Sequence, residues 1–270
     1  MNSKTLTFDN IIAELKSNNK TSEKDNYIFK ELTLKQQRKI LNSSYDPVEI
    51  PIKLATIYND YISESVSIKD DSVDAARVIT LETKPYFVNE LRSLSIGKIY
   101  YEKGTGYELY TVQPEDLVPK AKPHSVNANK FKINLRVPTL YEDSRYNTLL
   151  INALNPYKRK KDLNELNLGS VSDLYQIYEI IKFVESFELY DKEYKFNQYT
   201  IQDRIKFLDG LAPEVIDEIK DYIKKTVKDN EEKAFTAISE TGEKIVADIN
   251  TIFFSVTAKK EESLDDENEE

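Results

Sequence analysis

The chain has 270 residues, of which 40% are hydrophobic and 31% are charged, and its formal net charge at pH 7 is −9. This length allows one large domain or two small ones, and either can bury a core. No run approaches the roughly 18–20 apolar residues of a membrane span, and the first residues lack a signal-peptide pattern, so we expect a cytosolic protein with no membrane partner.

Side chains that commonly carry catalysis or bind metals are scarce. The chain has no cysteine, which excludes disulfides, cysteine-ligated zinc and thiol nucleophiles. The single histidine, His124, lies between prolines and lysines, where we expect a solvent-facing loop side chain rather than part of a Ser-His-Asp triad. We therefore predict no metal and no cofactor.

Most of the net charge is at the C-terminus. Residues 261–270 hold seven acids and no base, so they account for −7 of the −9 and leave −2 for the rest of the chain. Because such a segment has almost no apolar content, we predict a disordered acidic tail over 258–270. Its expected role is to keep the protein soluble, and the alternative is competition with an anion for a basic partner.

The first part of the chain is predicted to be a flexible arm (1–25) followed by an N-terminal α+β lobe (26–112). Within the lobe, NYIFKEL (26–32) has the pattern of a strand, and Thr33-x-x-Gln36 is a capping box that begins a short helix. The sequence DPVE (46–49) indicates another helix start. An apolar stripe at helical spacing follows it: Ile50, Leu54, Ile57, Tyr58, Tyr61 and Ile62.

The rest of this lobe is predicted to be a helix and a hairpin. The helix begins near Pro85 and ends at Gly97, and KIYYEKGTGYELYTV (98–112) has the pattern of two strands. Gly104 and Gly106 between these strands also invite comparison with a phosphate-binding loop. No Lys-Ser/Thr pair follows them, so a hairpin turn is favoured.

Residues 113–129 are rich in Pro, Lys and Asn, and we predict a linker or exposed loop there. A C-terminal helical lobe with a terminal hairpin is predicted over 130–257. It begins with a strand at KFKINLRV (130–137), and Thr139-x-x-Glu142 then caps a helix. The apolar side of that helix is expected to consist of Tyr146, Leu149, Leu150, Ala153 and Leu154.

Three further helices are predicted in SDLYQIYEIIKFVESF (172–187) and in 200–227, where Thr200 and Pro213 mark helix starts and Gly210 a helix end. Two strand-like runs around Gly242, within 235–254, complete the lobe. The predicted fold class is therefore α+β and predominantly helical, with small antiparallel strand pairs and a C-terminal helical cluster that ends in a β-hairpin.

Two charged motifs suggest chemistry. Lys158-Arg159-Lys160-Lys161 is the only basic tetrad and a possible phosphate contact, although it lies in a polar connection of a near-neutral body. Nucleic-acid binding through this tetrad is the alternative function, but it is not the favoured one. Glu193-x-Lys195 has the spacing of some metal-dependent nucleases, but no suitable acidic partner lies upstream, so we predict no catalytic residues.

Four segments resemble the baseplate hub and hub-assembly protein family of T-even-type contractile-tailed phages. They are FKELTLKQQRKIL (29–41), SDLYQIYEIIKFVE (172–185), TIQDRIKFLDGLAPEVIDEIKDYI (200–223) and ETGEKIVADINTIFF (240–254). The resemblance is vague from about 64 to 140, and its motifs are motifs of packing. Some members carry a cysteine pair in the final hairpin, and because this chain lacks it, the resemblance implies no metal here.

The resemblance implies a non-enzymatic baseplate hub subunit or hub-assembly factor that acts through protein–protein interfaces. Its partners would be other baseplate or hub proteins, and its location the host cytoplasm during assembly or the tail baseplate of the virion. Aromatic side chains are favoured at such interfaces, and five are the candidates: Tyr222, Phe253 and Phe254 as exposed aromatics near the final hairpin, and Tyr175 and Phe183 on the less apolar side of their helix. The alternative is that these side chains belong to the core.

Overall fold

The protein is a mixed α+β fold with three antiparallel sheets. The structure, a computed structural model, describes residues 20–41, 50–158, 168–249 and 252–253. Eleven strands occur within these residues, beside the helices. The prediction of a predominantly helical fold is therefore wrong, because several polar segments that lack an alternating pattern form strands by pairing with more apolar neighbours.

The first sheet has the order β1-β2-β3, with β1 at Thr21–Lys24, β2 at Tyr27–Lys30 and β3 at Val66–Ile68. Strand β1 lies within the residues predicted to be a flexible arm, so the arm boundary at residue 25 is wrong. This strand is polar because it is at the edge of the sheet, and Lys24 connects it to the body through a 2.5 Å ion pair with Glu90. The rest of the arm lies outside the described residues.

The second sheet joins a hairpin from the N-terminal half of the chain to a hairpin from its last 40 residues. It has the order β11-β10-β5-β4, with β4 at Ile99–Glu102, β5 at Thr105–Leu109, β10 at Thr236–Ser239 and β11 at Lys244–Val246. Both hairpins were predicted, and both are confirmed. Strand β5 of the first hairpin pairs with β10 of the second. This pairing contradicts the division into an N-terminal and a C-terminal lobe, because a single sheet contains strands from both.

The third sheet has the order β6-β7-β8-β9, with β6 at His124–Ala128, β7 at Phe131–Leu135, β8 at Val184–Leu189 and β9 at Lys192–Lys195. Strand β6 lies within the predicted linker, which is a correction: its alternate residues Val126 and Ala128 are buried although their neighbours are polar. Strand β8 replaces the end of the helix predicted over 172–187, because pairing with β7 and β9 outweighs the helical pattern there.

The helices begin largely where the sequence indicates. The capping boxes at Thr33 and Thr139 are confirmed, and the Thr200 hydroxyl accepts a hydrogen bond from the Asp203 amide. The helix-start signal DPVE (46–49) lies outside the described residues. The helices are α1 (Leu34–Leu41), α2 (Ile50–Ser65), α3 (Lys84–Ser95), α4 (Leu140–Lys158), α5 (Leu168–Ile181), α6 (Ile201–Asp209), α7 (Pro213–Ile223) and α8 (Asp229–Phe235).

A π-helical turn, Lys224–Lys228, connects α7 to α8. The apolar stripe of α2 is buried as predicted at Leu54, Ile57, Tyr58, Tyr61 and Ile62. On α4 the prediction fails for Leu149, which is 41% exposed. No helix in the described part of the chain is long and apolar enough to cross a membrane.

One apolar core connects all three sheets with the helices, from Phe29 in β2 to Ile252. Arg92 on α3 is fully buried within it and donates hydrogen bonds to the backbone carbonyls of Gly97, Ile99 and Ile252. These bonds satisfy the guanidinium and fix the end of α3 against β4 and the C-terminal segment. Because the core is continuous, the described parts fold as one unit.

Candidate functional site

The second sheet exposes one apolar face to solvent. Antiparallel pairing sets Ile238 opposite Glu108 and Glu108 opposite Ile99, so the three side chains form one row across the sheet. Ile99 is 44% exposed, Ile238 43% and Val246, on the same face of β11, 53%. We call this surface the apolar sheet face and define it by Ile99, Tyr101, Ile238 and Val246.

Tyr101 extends the apolar sheet face along β4. Its ring lies over Gly106 on the neighbouring strand. A residue with a Cβ atom at position 106 would place that atom only 3.3 Å from the ring carbon Cε1 of Tyr101. A glycine at 106 therefore leaves room for the ring to lie flat on the sheet. The opposite side of the same strands is buried through Tyr100, Tyr107, Leu109 and Ala237, as alternation in a strand requires.

The expectation of exposure is wrong for two of the predicted interface aromatics. Phe183 is fully buried and Tyr222 is 9% exposed, and their rings contact each other edge to face with centroids 6.5 Å apart. The other face of Tyr222 stacks on His124 at 5.3 Å. His124 is therefore a strand residue packed on an aromatic ring, because the predicted loop that contained it is strand β6.

The remaining predicted aromatics do not form one surface with these. Phe253 is half-buried against the rings of Tyr58 and Tyr61, with centroid distances of 5.6 and 6.2 Å. Tyr175 is half-buried on α5. Phe254 lies outside the described residues. Their interface role stays a prediction, while the burial of Phe183 assigns that side chain to the core.

The Glu193-x-Lys195 motif lies on β9, in a different sheet from the apolar sheet face. Lys158 ends α4, and Arg159, Lys160 and Lys161 lie outside the described residues, so their phosphate contact stays a prediction. Glu193 accepts hydrogen bonds from Ser186 (2.6 Å) and Lys195 (3.0 Å), which lower the pKa of its carboxyl group. No group of three potential metal-ligating side chains occurs within the described ranges.

A buried charge cluster, which the sequence did not reveal, lies where α3, α4 and α5 meet. It consists of Lys84, Asp143 and Lys182, whose side chains are 9%, 3% and 8% exposed. Lys182 Nζ lies 2.9 Å from Asp143 Oδ1, whereas Lys84 Nζ lies 4.0 Å from Asp143 Oδ2. Asp143 Oδ2 also accepts hydrogen bonds from the amides of Asn59 (2.8 Å) and Asn147 (3.2 Å).

The pKa values of the two lysines in the buried charge cluster shift in opposite directions. Burial by itself lowers the pKa of both ammonium groups. At Lys182 the carboxylates of Asp143 and Glu179 outweigh burial and raise the pKa, since Glu179 lies only 2.6 Å away. At Lys84 burial prevails and the pKa is lowered, because its nearest carboxylate is more distant and Lys182 adds a like charge.

Asp143 is the anionic centre of this cluster. Burial acts to raise the pKa of its carboxyl group, but the nearby lysines, Lys182 first and then Lys84, outweigh it and lower this pKa to about 2. Asp143 also lies in the first turn of α4, where the helix dipole favours a negative charge. It therefore stays ionised at neutral pH.

Sequence signals for this cluster existed but were weak. Lys182 interrupts the apolar run Ile180-Ile181-Lys182-Phe183-Val184, and Lys84 is the first residue of α3, immediately before Pro85-Tyr86-Phe87-Val88. A lysine inside an apolar run is rarely buried unless it is paired. The partner Asp143 is about 40 residues from Lys182 in sequence, and only the packing of α4 against α5 brings them together.

Comparison of the chain with models of protein families, with curated proteins and with solved structures finds no match.

Proposed function

We propose that the protein is a non-enzymatic phage tail protein, a baseplate hub subunit or hub-assembly factor, that binds another tail protein through its apolar sheet face. The observation that carries the proposal is the exposure of Ile99, Ile238 and Val246 on one side of a single sheet. Isolated exposed aliphatic residues are ordinary, whereas several on one face of a single sheet are typical of a contact surface.

The expected binding free energy from these residues is moderate, and charged side chains lie beside them. Removing the exposed half of each aliphatic side chain from water contributes about 1 kcal/mol. A stable interface covers roughly 800 Å² on each partner, so the contact must extend beyond these residues. Glu108 lies within the row and Lys244 lies beside Ile238 on β11, which gives a partner two opposite charges with which to fix its orientation.

The sequence resemblance supports the choice of partner. The segment ETGEKIVADINTIFF (240–254), one of the four that resemble the hub family, includes β11 and therefore Val246 of the apolar sheet face. A hub or assembly role requires specific protein contacts and no catalytic group. Baseplate or hub proteins are accordingly the proposed partners.

The test uses two matched charge substitutions. Ile238→Lys places a charge on the apolar sheet face, and Leu149→Lys places one at an equally exposed aliphatic position on α4. Tagged full-length protein is expressed in cells that assemble the source virus, and captured proteins are quantified by mass spectrometry, as is the protein in purified particles. Thermal unfolding of both variants verifies that they are folded.

We expect the wild type and Leu149→Lys to capture tail proteins and Ile238→Lys to capture about tenfold less, since a buried charge at the centre of an interface is costly. Presence in particles would identify a hub subunit, and capture from the lysate alone would identify an assembly factor. Absence of tail proteins from both samples refutes the proposal. Salt-sensitive capture of nucleic acid instead would favour the basic tetrad Lys158–Lys161.

A further inference from the structure

A cavity of about 700 Å³ opens beside the buried charge cluster. Helices α2, α3, α4, α5 and α7, together with the π-helical turn, supply its walls. Its walls are largely apolar, and Ile52, Leu81, Leu150 and Ile223 contribute to them. Volume, apolar walls and a few convergent polar groups are the usual properties of a small-molecule site.

Lys84 is the polar group at this cavity with spare hydrogen-bonding capacity. Its ammonium group has three donors, and its side chain is 9% exposed. Within the described residues it donates one hydrogen bond, to the carbonyl of Ala55 at 3.1 Å, while Asp143 at 4.0 Å is beyond hydrogen-bond distance. A buried ammonium with unused donors beside a cavity favours an anionic ligand.

Asp143 offsets the charge of Lys84 from 4.0 Å but accepts no hydrogen bond from it. Its carboxylate already accepts hydrogen bonds from Lys182, Asn59 and Asn147. The ammonium group of Lys182 in turn forms ion pairs with both Asp143 and Glu179. Lys84 is therefore the member of the cluster that is left to bind a further negative group.

The mouth of the cavity adds positive charge. Lys220, Lys224 and Lys228 project from α7 and the π-helical turn along one side of it, and Lys228 pairs with Glu231 at 3.2 Å. Among the described residues, the lining holds five lysines and three acids, which leaves two positive charges in excess. π-Helical turns are rare and occur frequently at functional sites, and this one, Lys224–Lys228, forms part of the wall.

We propose that this cavity binds a small organic anion, with its carboxylate or phosphate group on Lys84 and its apolar body against Ile52, Leu150 and Ile223. The proposal is independent of the apolar sheet face and of the proposed tail function. The carboxylate and phosphate forms share the same recognition chemistry, an anionic head with an apolar body. The lysines at the mouth would attract the ligand before Lys84 binds it.

Isothermal titration calorimetry of the full-length protein tests the proposal with four probes. Decanoate and decyl phosphate carry both the anion and the apolar body, and the tighter binder of the two identifies the preferred head group. Decyltrimethylammonium keeps the chain but reverses the charge, and inorganic phosphate keeps the charge without the chain. We expect binding of at least one anionic probe with a dissociation constant below about 1 mM, and weaker binding of both control probes.

Three variants assign that binding to the cavity. Lys84→Met keeps the length of the side chain and removes its charge, so we expect about 10- to 100-fold weaker binding of the anionic probe. Lys206→Met, at an exposed position on α6, is the matched control and should bind as the wild type does. Lys224→Met, at the exposed mouth, should fold whatever the result at Lys84, and should reduce the salt dependence of binding.

Three results would overturn the proposal. The first is failure of both anionic probes to bind the wild type, and the second is binding that neither Lys84→Met nor Lys224→Met weakens. The third is equal binding of decanoate and decyltrimethylammonium, which would exclude an anion site. Because tail-protein capture is measured separately with Ile238→Lys, failure here leaves the tail proposal unaffected.

Discussion

Replacing Asp143 by asparagine should destabilise the protein strongly at neutral pH. The substitution preserves the shape of the side chain but removes the carboxylate that compensates Lys182 and Lys84. Both lysines would then lie in the interior, and the acids near them, Glu179 and Glu231, are more exposed than Asp143. An uncompensated buried charge is among the few changes with a large effect on stability.

The magnitude follows from the pKa of the carboxyl group. A fall from 3.8 to about 2 corresponds to about 2.5 kcal/mol of stabilisation by the folded state, at about 1.4 kcal/mol per pKa unit. The buried lysines lose their partner in addition, so the free energy of unfolding should decrease by about 3–5 kcal/mol. Lys84, whose pKa is already lowered by burial, can relieve part of this cost by releasing its proton.

Urea denaturation at pH 7, analysed by linear extrapolation, measures the change. Asp60→Asn is the matched control, because Asp60 makes an exposed ion pair with Lys39 and should contribute less than about 1 kcal/mol. A decrease below about 1 kcal/mol for Asp143→Asn would refute the reasoning. It would mean that Asp143 and the lysines are not a coupled buried charge cluster.

The pH dependence provides an independent check on the sign. Because the pKa of Asp143 is lowered in the folded state, its contribution is fully present above the unfolded pKa of about 4 and is lost as the pH falls towards 2. The stability difference between the wild type and Asp143→Asn should therefore shrink by about 2 kcal/mol between pH 5 and pH 2. A difference that stays constant over this range would show that the carboxyl group does not titrate in this way.

Three further substitutions have definite expected outcomes in the same denaturation assay. Phe183→Ala should lower the free energy of unfolding by about 3–5 kcal/mol because the ring is fully buried. A decrease below about 1 kcal/mol would show that the ring is not part of the core. Arg92→Met removes the donors for three backbone carbonyls and should lower the free energy of unfolding by at least about 3 kcal/mol. The control Arg38→Met, at an exposed position, should be nearly neutral, and equal effects of the two substitutions would contradict the buried role of Arg92. Thr200→Ala removes the cap of α6 and should cost about 1 kcal/mol, which a Tm shift detects; an unchanged Tm would argue against the cap.

Local signals in the sequence determined most helix starts and both hairpins of the second sheet. Thr33, Thr139 and Thr200 cap helices because their hydroxyls reach amides three residues ahead, and this geometry depends only on near neighbours. The stripe of α2 could be predicted for the same reason, since helical periodicity is local. The turn at Gly104, with a φ of 83°, likewise depends on a few adjacent residues.

Pairing between strands that are far apart in sequence determined the elements that the local sequence pattern did not predict. Strand β6 lies in a segment rich in proline and lysine, and it exists because β7 pairs with it and the core accepts Val126. Residues 184–189 continue a helical pattern but pair between β7 and β9. In such segments local propensity is weaker than the burial and hydrogen bonding that a sheet provides.

The sequence by itself determined which residues are apolar, where most helices begin and that chemistry based on cysteine is excluded. Only the tertiary structure decided that the C-terminal hairpin extends the N-terminal one, which exposes Ile99, Ile238 and Val246 on a common face. It also decided that Lys84, Asp143 and Lys182 share a buried site beside a cavity. The physical reason is that charges and side chains far apart in sequence interact only after packing removes water and fixes their distances.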